Sequence, residues 1–149
     1  MKKLIVVRHG DYDLETLELN KMGREQIRDA ANEIKAVIMG EGDKIDSSKI
    51  LILTSPADRN ILSAYIIAET FDTAVKVADI LFVTKKQDYV KDNFLGLVES
   101  KKDRYDYLII VSHGPVAKYF PHDFGEAVLK KEIPIADVKM GGFVVVDCA

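Results

Sequence analysis

The sequence predicts a three-layer α/β/α sandwich built on a mostly parallel sheet of five or six strands. Three observations carry that expectation. Short continuous apolar runs stand at residues 4–7, 50–53, 107–111 and 143–146, the pattern of strands buried on both faces. Segments with helical periodicity lie between them. Three of the runs stop abruptly in polar punctuation, at Arg8-His9-Gly10, Thr54-Ser55-Pro56 and Ser112-His113-Gly114-Pro115. A length of 149 residues fits one domain spanning residues 1–149, long enough to bury a real core.

The elements follow in order. Leu4-Ile5-Val6-Val7 is the first strand, and it delivers Arg8 and His9 to its carboxyl end. In open α/β sheets that rim is where ligands bind. Residues 11–18 are acidic and read as an exposed loop. Asn20 suits the cap of a helix over 21–39, with Gly40 as its stop. Ile27, Ala30, Ala31, Ile34 and Ile38 share one face of it. Residues 40–49 are polar, with Gly and Ser, and read as a loop. Ile50-Leu51-Ile52-Leu53 is the second strand. Ser55 with Asp58 three residues later makes a capping box, and Pro56 suits a first helical position, so a helix is expected to run to residue 71.

A weaker strand is expected over 74–78. A helix over 88–98 would turn Val90, Phe94, Leu97 and Val98 inward, and residues 99–104 read as a solvated helix end and loop. Tyr107-Leu108-Ile109-Ile110-Val111 is a further buried strand. One or two short helices fill 116–131, and Phe143-Val144-Val145-Val146 closes the sheet.

Composition narrows the function. Charged residues make up 30% of the chain and the net charge is −3, which favours neither nucleic acid nor a membrane surface as a partner. No apolar run approaches the roughly 20 residues that span a bilayer. Met1-Lys2-Lys3 leads straight into the first strand without a cleavable signal pattern, so a cytoplasmic protein is expected. The one cysteine, Cys148, excludes an internal disulfide and the usual thiolate zinc cages. It reads as an inert thiol.

In a parallel sheet the carboxyl ends of these strands face one side. Two imidazoles, His9 and His113, and two guanidinium groups, Arg8 and Arg59, would then converge on one crevice. That set suits a phosphoryl group. Arginine forks bind its oxygens in pairs, helix amino termini add N–H donors, and an imidazole can attack phosphorus. Each residue also has a plain structural reading: Arg8 and His9 as a strand-end pair, Arg59 as a partner of Asp58, His113 as a core histidine. Their joint placement outweighs those readings. His122, between Pro121 and Asp123, reads as a surface-turn residue. Ser55 reads as a helix cap, because no base is spaced to make it a nucleophile.

These residues also resemble a known family. Val7-Arg8-His9-Gly10 is similar to the signature of the histidine phosphatase superfamily, also called phosphoglycerate mutase-like. Leu19-Asn20-Lys21-Met22-Gly23-Arg24-Glu25-Gln26 resembles that family's first-helix pattern. Thr54-Ser55-Pro56-Ala57-Asp58-Arg59, followed by Ser63-Ala64, resembles the segment with the second arginine, and Val111-Ser112-His113-Gly114 the segment with the second histidine. The matches keep the family's order from residue 4 to about residue 115. The resemblance implies a sheet with one antiparallel strand and a metal-independent phosphatase without a cofactor. His9 would be the nucleophile that forms a phosphohistidine, with Arg8, Arg59, His113 and Gly114 binding the phosphoryl oxygens. The short chain looks most like the SixA-type phosphohistidine phosphatases. Its partner would be a phosphorylated small molecule or a phosphohistidine-bearing protein.

One departure stands out. Many members carry an acidic residue after the third strand as general acid, and here that position holds Val83 or Thr84. Asp88, or less readily Asp79, is the substitute on offer. General acid catalysis contributes on the order of 10²- to 10⁴-fold, and an alkoxide leaving group needs it. A protonated phosphoimidazole instead expels neutral imidazole, which leaves easily without it, its conjugate acid having a pKa near 6.5. Weak acid provision thus points to phosphohistidine or another labile donor. Two other readings remain: a phosphoglycerate-type mutase, and a non-catalytic module that binds a phosphorylated ligand.

Overall fold

The order of strands across the sheet decides what can meet at its edge. In the computed structural model, which describes residues 1–40, 42 and 44–149, five strands are arranged β3-β2-β4-β1-β5. They are β1 (Lys3–Arg8), β2 (Ile50–Thr54), β3 (Val75–Val77), β4 (Tyr107–Ser112) and β5 (Phe143–Asp147). The neighbours β1, β4, β2 and β3 are parallel, and only β5 runs antiparallel, beside β1. The expected architecture is present, with five strands.

Alternation along the central strands builds two cores. Leu4, Val6, Leu51, Leu53, Leu108 and Ile110 face one layer, packed with Phe94, Val98, Val116 and Phe120. Ile5, Val7, Ile50, Ile52, Ile109 and Val111 face the other, packed with Ile27, Ile34, Ala64 and Ile67. The first layer is α3 (Lys91–Glu99) and α4 (Gly114–Phe124), and the second is α1 (Lys21–Gly40) and α2 (Asp58–Phe71). A one-residue slip of any central strand would exchange the side chains of the two cores and spoil the close packing of both. The register is therefore firmly set, and with it the level of the strand ends.

α1 starts where its cap predicts: Asn20 Oδ1 accepts the Gly23 N–H at 2.8 Å. The loop expected over 40–49 includes Glu41 and Asp43, which lie outside the described residues. Its end is a 3-10 turn, Ser47–Lys49, capped by Asp46. Two expectations are corrected. α2 begins at Asp58 with Ala57 as an N-cap that has no side-chain bond of its own, and the Ser55 hydroxyl accepts the Ala57 N–H at 3.5 Å from outside the helix. α3 begins at Lys91, since residues 79–81 and 86–88 fold as separate 3-10 turns. Val90, in extended conformation ahead of the helix, is consequently half exposed, while Phe94 and Val98 one turn apart stay buried. β3 is shorter than expected and its Val77 is exposed. The helical region after 116 is α4, starting at Gly114, continued by a π-helical turn over Gly125–Leu129. Among the described residues no helix is long and apolar enough to cross a membrane.

Candidate active site

Register brings the strand ends level. Arg8 pairs with Ser112 across β1 and β4, and Thr54 pairs with Val111 across β2 and β4. The next residue of each strand, His9, Ser55 and His113, thus reaches the same rim. Backbone bonds hold them there: His9 N–H donates to Ser112 O at 3.1 Å, and Ser55 N–H to Val111 O at 3.0 Å. The two imidazoles meet edge to face with centroids 5.4 Å apart, and both are almost fully buried.

His9 is locked by its own neighbour. Nδ1 lies 2.8 Å from the Gly10 carbonyl oxygen, which only accepts, so Nδ1 carries the proton and Nε2 keeps its lone pair. Burial lowers the His9 pKa to about 4, and the Arg59 and Arg8 guanidinium charges push the same way against the Gly10 carbonyl. Burial likewise lowers His113 to about 3, helped by His9, Arg59 and Arg8. Both rings are neutral near pH 7, and His9 presents a free nucleophilic nitrogen.

Two glycines allow the loop after β1 to close over this rim. A Cβ at Gly10 would run into the Gly23 backbone, and a Cβ at Gly23 into the Asp11 backbone. The chain thereby presses against the first two turns of α1, where Gln26 Oε1 accepts the Asp11 N–H at 2.9 Å. Gly10 N–H donates to Ser63 Oγ at 3.2 Å, and that hydroxyl donates to Arg59 O at 2.7 Å. The loop, α1 and α2 are thus tied together beneath the histidines.

The cations sit around the rings. Arg8 donates from Nη1 to Val138 O at 2.9 Å and lies beneath Gly114 at the start of α4. Arg59 lies over the Tyr12 ring, 4.6 Å from its centroid, and Tyr12 meets His9 edge-on at 5.3 Å. The Nε atoms of Arg8 and Arg59 are buried without a hydrogen-bond partner. An orphaned guanidinium donor is costly unless a ligand completes it. Two such donors beside two neutral imidazoles make a receptor for an oxyanion.

The structure brings together Arg8, His9, Arg59, His113 and Gly114, the set the sequence selects. Asp88 is not among the charges that shift either histidine. Asp88 is exposed in the turn at Lys86–Asp88, and the carboxylate whose charge reaches His9 is Asp11, held by the Asn20 amide at 3.0 Å. At the expected acid position Val83 is buried, and Phe82 puts its ring edge on His113 at 5.3 Å. Asp79 is exposed in the first of the two turns. Ser55, expected as a helix cap, accepts the Ala57 N–H only at 3.5 Å, and its Oγ lies 2.8 Å from His113 Nε2. Sequence reasoning missed Tyr12, in an acidic loop with no period to mark it. His122 belongs to the last turn of α4 rather than a surface turn, bonded to Ile133 O and Glu126. Burial pushes the half-buried Cys148 thiol up.

No family model matches the chain, and no curated protein matches it. Solved structures do match. The protein histidine phosphatase SixA complexed with tungstate superposes with a TM-score of 0.65 at 19% identity, covering 97% of this chain and 94% of that one. A mycobacterial glucosyl-3-phosphoglycerate phosphatase gives 0.63 at 16% identity, over 97% and 89%. A phosphoserine phosphatase from Entamoeba histolytica in complex with 3-phosphoglyceric acid gives 0.62 at 19% identity, over 97% and 90%. The fold is therefore the phosphoglycerate mutase-like sandwich of solved histidine phosphatases, at identities where likeness speaks for fold alone.

Proposed function

We propose that the chain is a single-domain histidine phosphatase that removes a phosphoryl group through a phosphohistidine on His9. The observation that carries this reading is the meeting of two neutral, buried imidazoles with two guanidinium groups whose Nε donors are unused. His9 Nε2 attacks phosphorus and the bond to the leaving atom breaks, leaving the phosphoryl group on the imidazole. Water then attacks that phosphorus, His9 departs with its electron pair, and inorganic phosphate is released. Arg8 and Arg59 bind the equatorial oxygens in pairs and offset their charge. The Ser55 hydroxyl donates to His113 Nε2, so that His113 Nδ1–H donates to a phosphoryl oxygen. No step calls on a metal, because the arginines supply the positive charge.

The leaving group follows from the missing acid. With Asp88 exposed and Val83 in the acid's place, an alkoxide departs without a positioned proton donor, while a phosphoimidazole already protonated on its other ring nitrogen by solvent expels neutral imidazole. The favoured substrates are phosphohistidine, on a protein or as a small molecule, and other labile phosphoryl donors. The likeness to the SixA structure agrees with that preference.

The test is phosphate release from a phosphohistidine peptide and from an alkyl phosphate ester. The peptide should be cleaved at least 10²-fold faster, within the range that general acid catalysis spans, and His9→Ala should abolish release from both. Binding of the peptide without turnover by the unaltered protein would replace the phosphatase with a phospho-ligand reader.

A further inference from the structure

A hollow of about 250 Å³ adjoins the candidate phosphoryl pocket, with Arg8 and Gly114 on its inner wall. Its outer wall is Lys86, from the turn before α3, with Lys118 and Tyr119 from the second turn of α4. The two ammonium groups converge on one ring: Lys86 Nζ lies 5.3 Å and Lys118 Nζ 5.4 Å from the Tyr119 centroid. That ring is held in place. Tyr89 packs on it at 5.8 Å, donates its phenol to Asp123 Oδ2 at 2.7 Å, and stacks on the buried Phe94 at 5.2 Å. The electron-rich face of an aromatic ring attracts each cation and keeps together two charges that would otherwise spread apart. A fixed cationic platform beside an oxyanion receptor, in a chain of net charge −3, is a selective feature.

Lys118 shows what the platform takes. Its Nζ is 3.0 Å from Asp137 Oδ1, and the Asp137 side chain, in the same hollow, is 89% exposed. A carboxylate of the chain itself already sits on one ammonium group with its far side in water. Lys118 lies four residues along α4 from Gly114, about 6 Å of helical rise, and Gly114 lines the hollow beside Arg8, whose Cζ would be 3.5 Å from a Cβ at that position. An anion on the platform and a phosphoryl group on Arg8 are thus separated by the length of one small molecule or one amino-acid residue.

We propose that this hollow is a second anion subsite, and that the substrate carries a carboxylate or phosphate about one helical turn from the transferred phosphoryl group. The proposal rests on the phosphatase reading and specifies its substrate. The substrate anion displaces Asp137 from Lys118 and gains Lys86 as a second partner, whereas Asp137 stays mostly in water. A free acid and an acidic side chain beside a phosphohistidine share this chemistry.

Two substrate pairs test it: phosphohistidine against its carboxamide, and a phosphohistidine peptide with neighbouring glutamates against the same peptide with glutamines. The unaltered protein should prefer the anionic member of at least one pair by about twofold to fivefold in kcat/KM, what one added and one exchanged, partly screened ion pair supply. Preference within the first pair alone identifies a free acid, and within the second an acidic protein segment. The Lys86→Met/Lys118→Met double variant should lose the preference, and Asp137→Asn should enlarge it. Equal use of both members by the unaltered protein, or an unchanged ratio in the double variant, overturns the subsite. If no substrate turns over, the phosphatase reading fails by itself. Calorimetric affinities for the same pairs then decide the subsite, which stands only if the anionic member binds tighter and the double variant loses that difference.

Discussion

The two halves of the candidate site are built on different principles. The phosphoryl half is dry and fixed by backbone: His9 and His113 are buried at adjoining strand ends, and a carbonyl and a hydroxyl hold their nitrogens. The leaving-group half is wet and made of side chains: Lys86 and Asp88 are exposed, and Lys118 pairs with an exposed Asp137. Electrostatic contacts gain strength as water is excluded. Chemistry should therefore reside in the first half and selectivity in the second. Replacing groups in the first half should cost orders of magnitude, and in the second no more than about tenfold.

The largest expected effect beyond loss of the nucleophile is at Arg59. Arg59→Ala removes an orphaned Nε donor and the guanidinium above Tyr12, and should lower kcat by about 10²- to 10³-fold, the scale of a lost transition-state donor. Arg59→Lys should recover only part of it, since a single ammonium cannot reproduce the fork. Steady-state kinetics on a phosphohistidine substrate, with thermal melting as a folding control, measures both. A loss no greater than that of the Lys86 and Lys118 variants would erase the distinction between the halves.

The same contrast governs what the sequence reveals. His9 and His113 are legible because each directly follows a continuous apolar run, and parallel pairing leaves their relative level no freedom. Gly23 and Gln26 are legible as a pattern, and the structure supplies their reason: one lets the Gly10 loop approach, the other binds the Asp11 N–H. Ser55 is misread because a serine, a proline and an aspartate at that spacing also describe a helix cap. The competing partner, His113, lies 58 residues away. Tyr12, Lys86 and Lys118 have no signal at all, since their neighbours are brought by loop closure and by packing between α3 and α4. Long-range strand pairing leaves a local trace in the apolar runs, and rim contacts between loops do not.

A smaller effect, spread over pH, tests how dry the phosphoryl half is. His9 and His113 titrate at about 4 and about 3 in the folded protein, against about 6.5 in an unfolded chain. Between pH 6.5 and 4 the unfolded chain binds more protons, so stability falls as pH drops across that window. The slope is about 1.4 kcal/mol per pH unit for each histidine. The lowered carboxylates Asp13, Asp46 and Asp147 act below that window, since their unfolded values lie near 3.9. Denaturant unfolding at pH 7.5, 6 and 5 should show the decline, and His113→Gln should reduce it by about half. An undiminished slope in that variant would mean that water reaches the rings.

The smallest expected effect is at Asp88, and it decides whether the leaving-group half has any part in proton transfer. Asp88→Asn removes a charge from an exposed 3-10 turn while keeping its size. A carboxyl group that protonates a leaving oxygen must stand within hydrogen-bond reach of it, and the charge of this one shifts neither His9 nor His113. Rates on phosphohistidine and on an alkyl phosphate should both stay within about twofold, as exposed charges contribute little. The alkyl ester is the sensitive substrate, because its alkoxide needs a proton at departure, whereas a phosphoimidazole can be protonated on its ring beforehand. A tenfold fall confined to the ester would show that the turn closes over bound substrate and delivers Asp88 as the acid. Chemistry would then be shared between the two halves, and the preference for labile phosphoryl donors would have to come from the lysine platform alone.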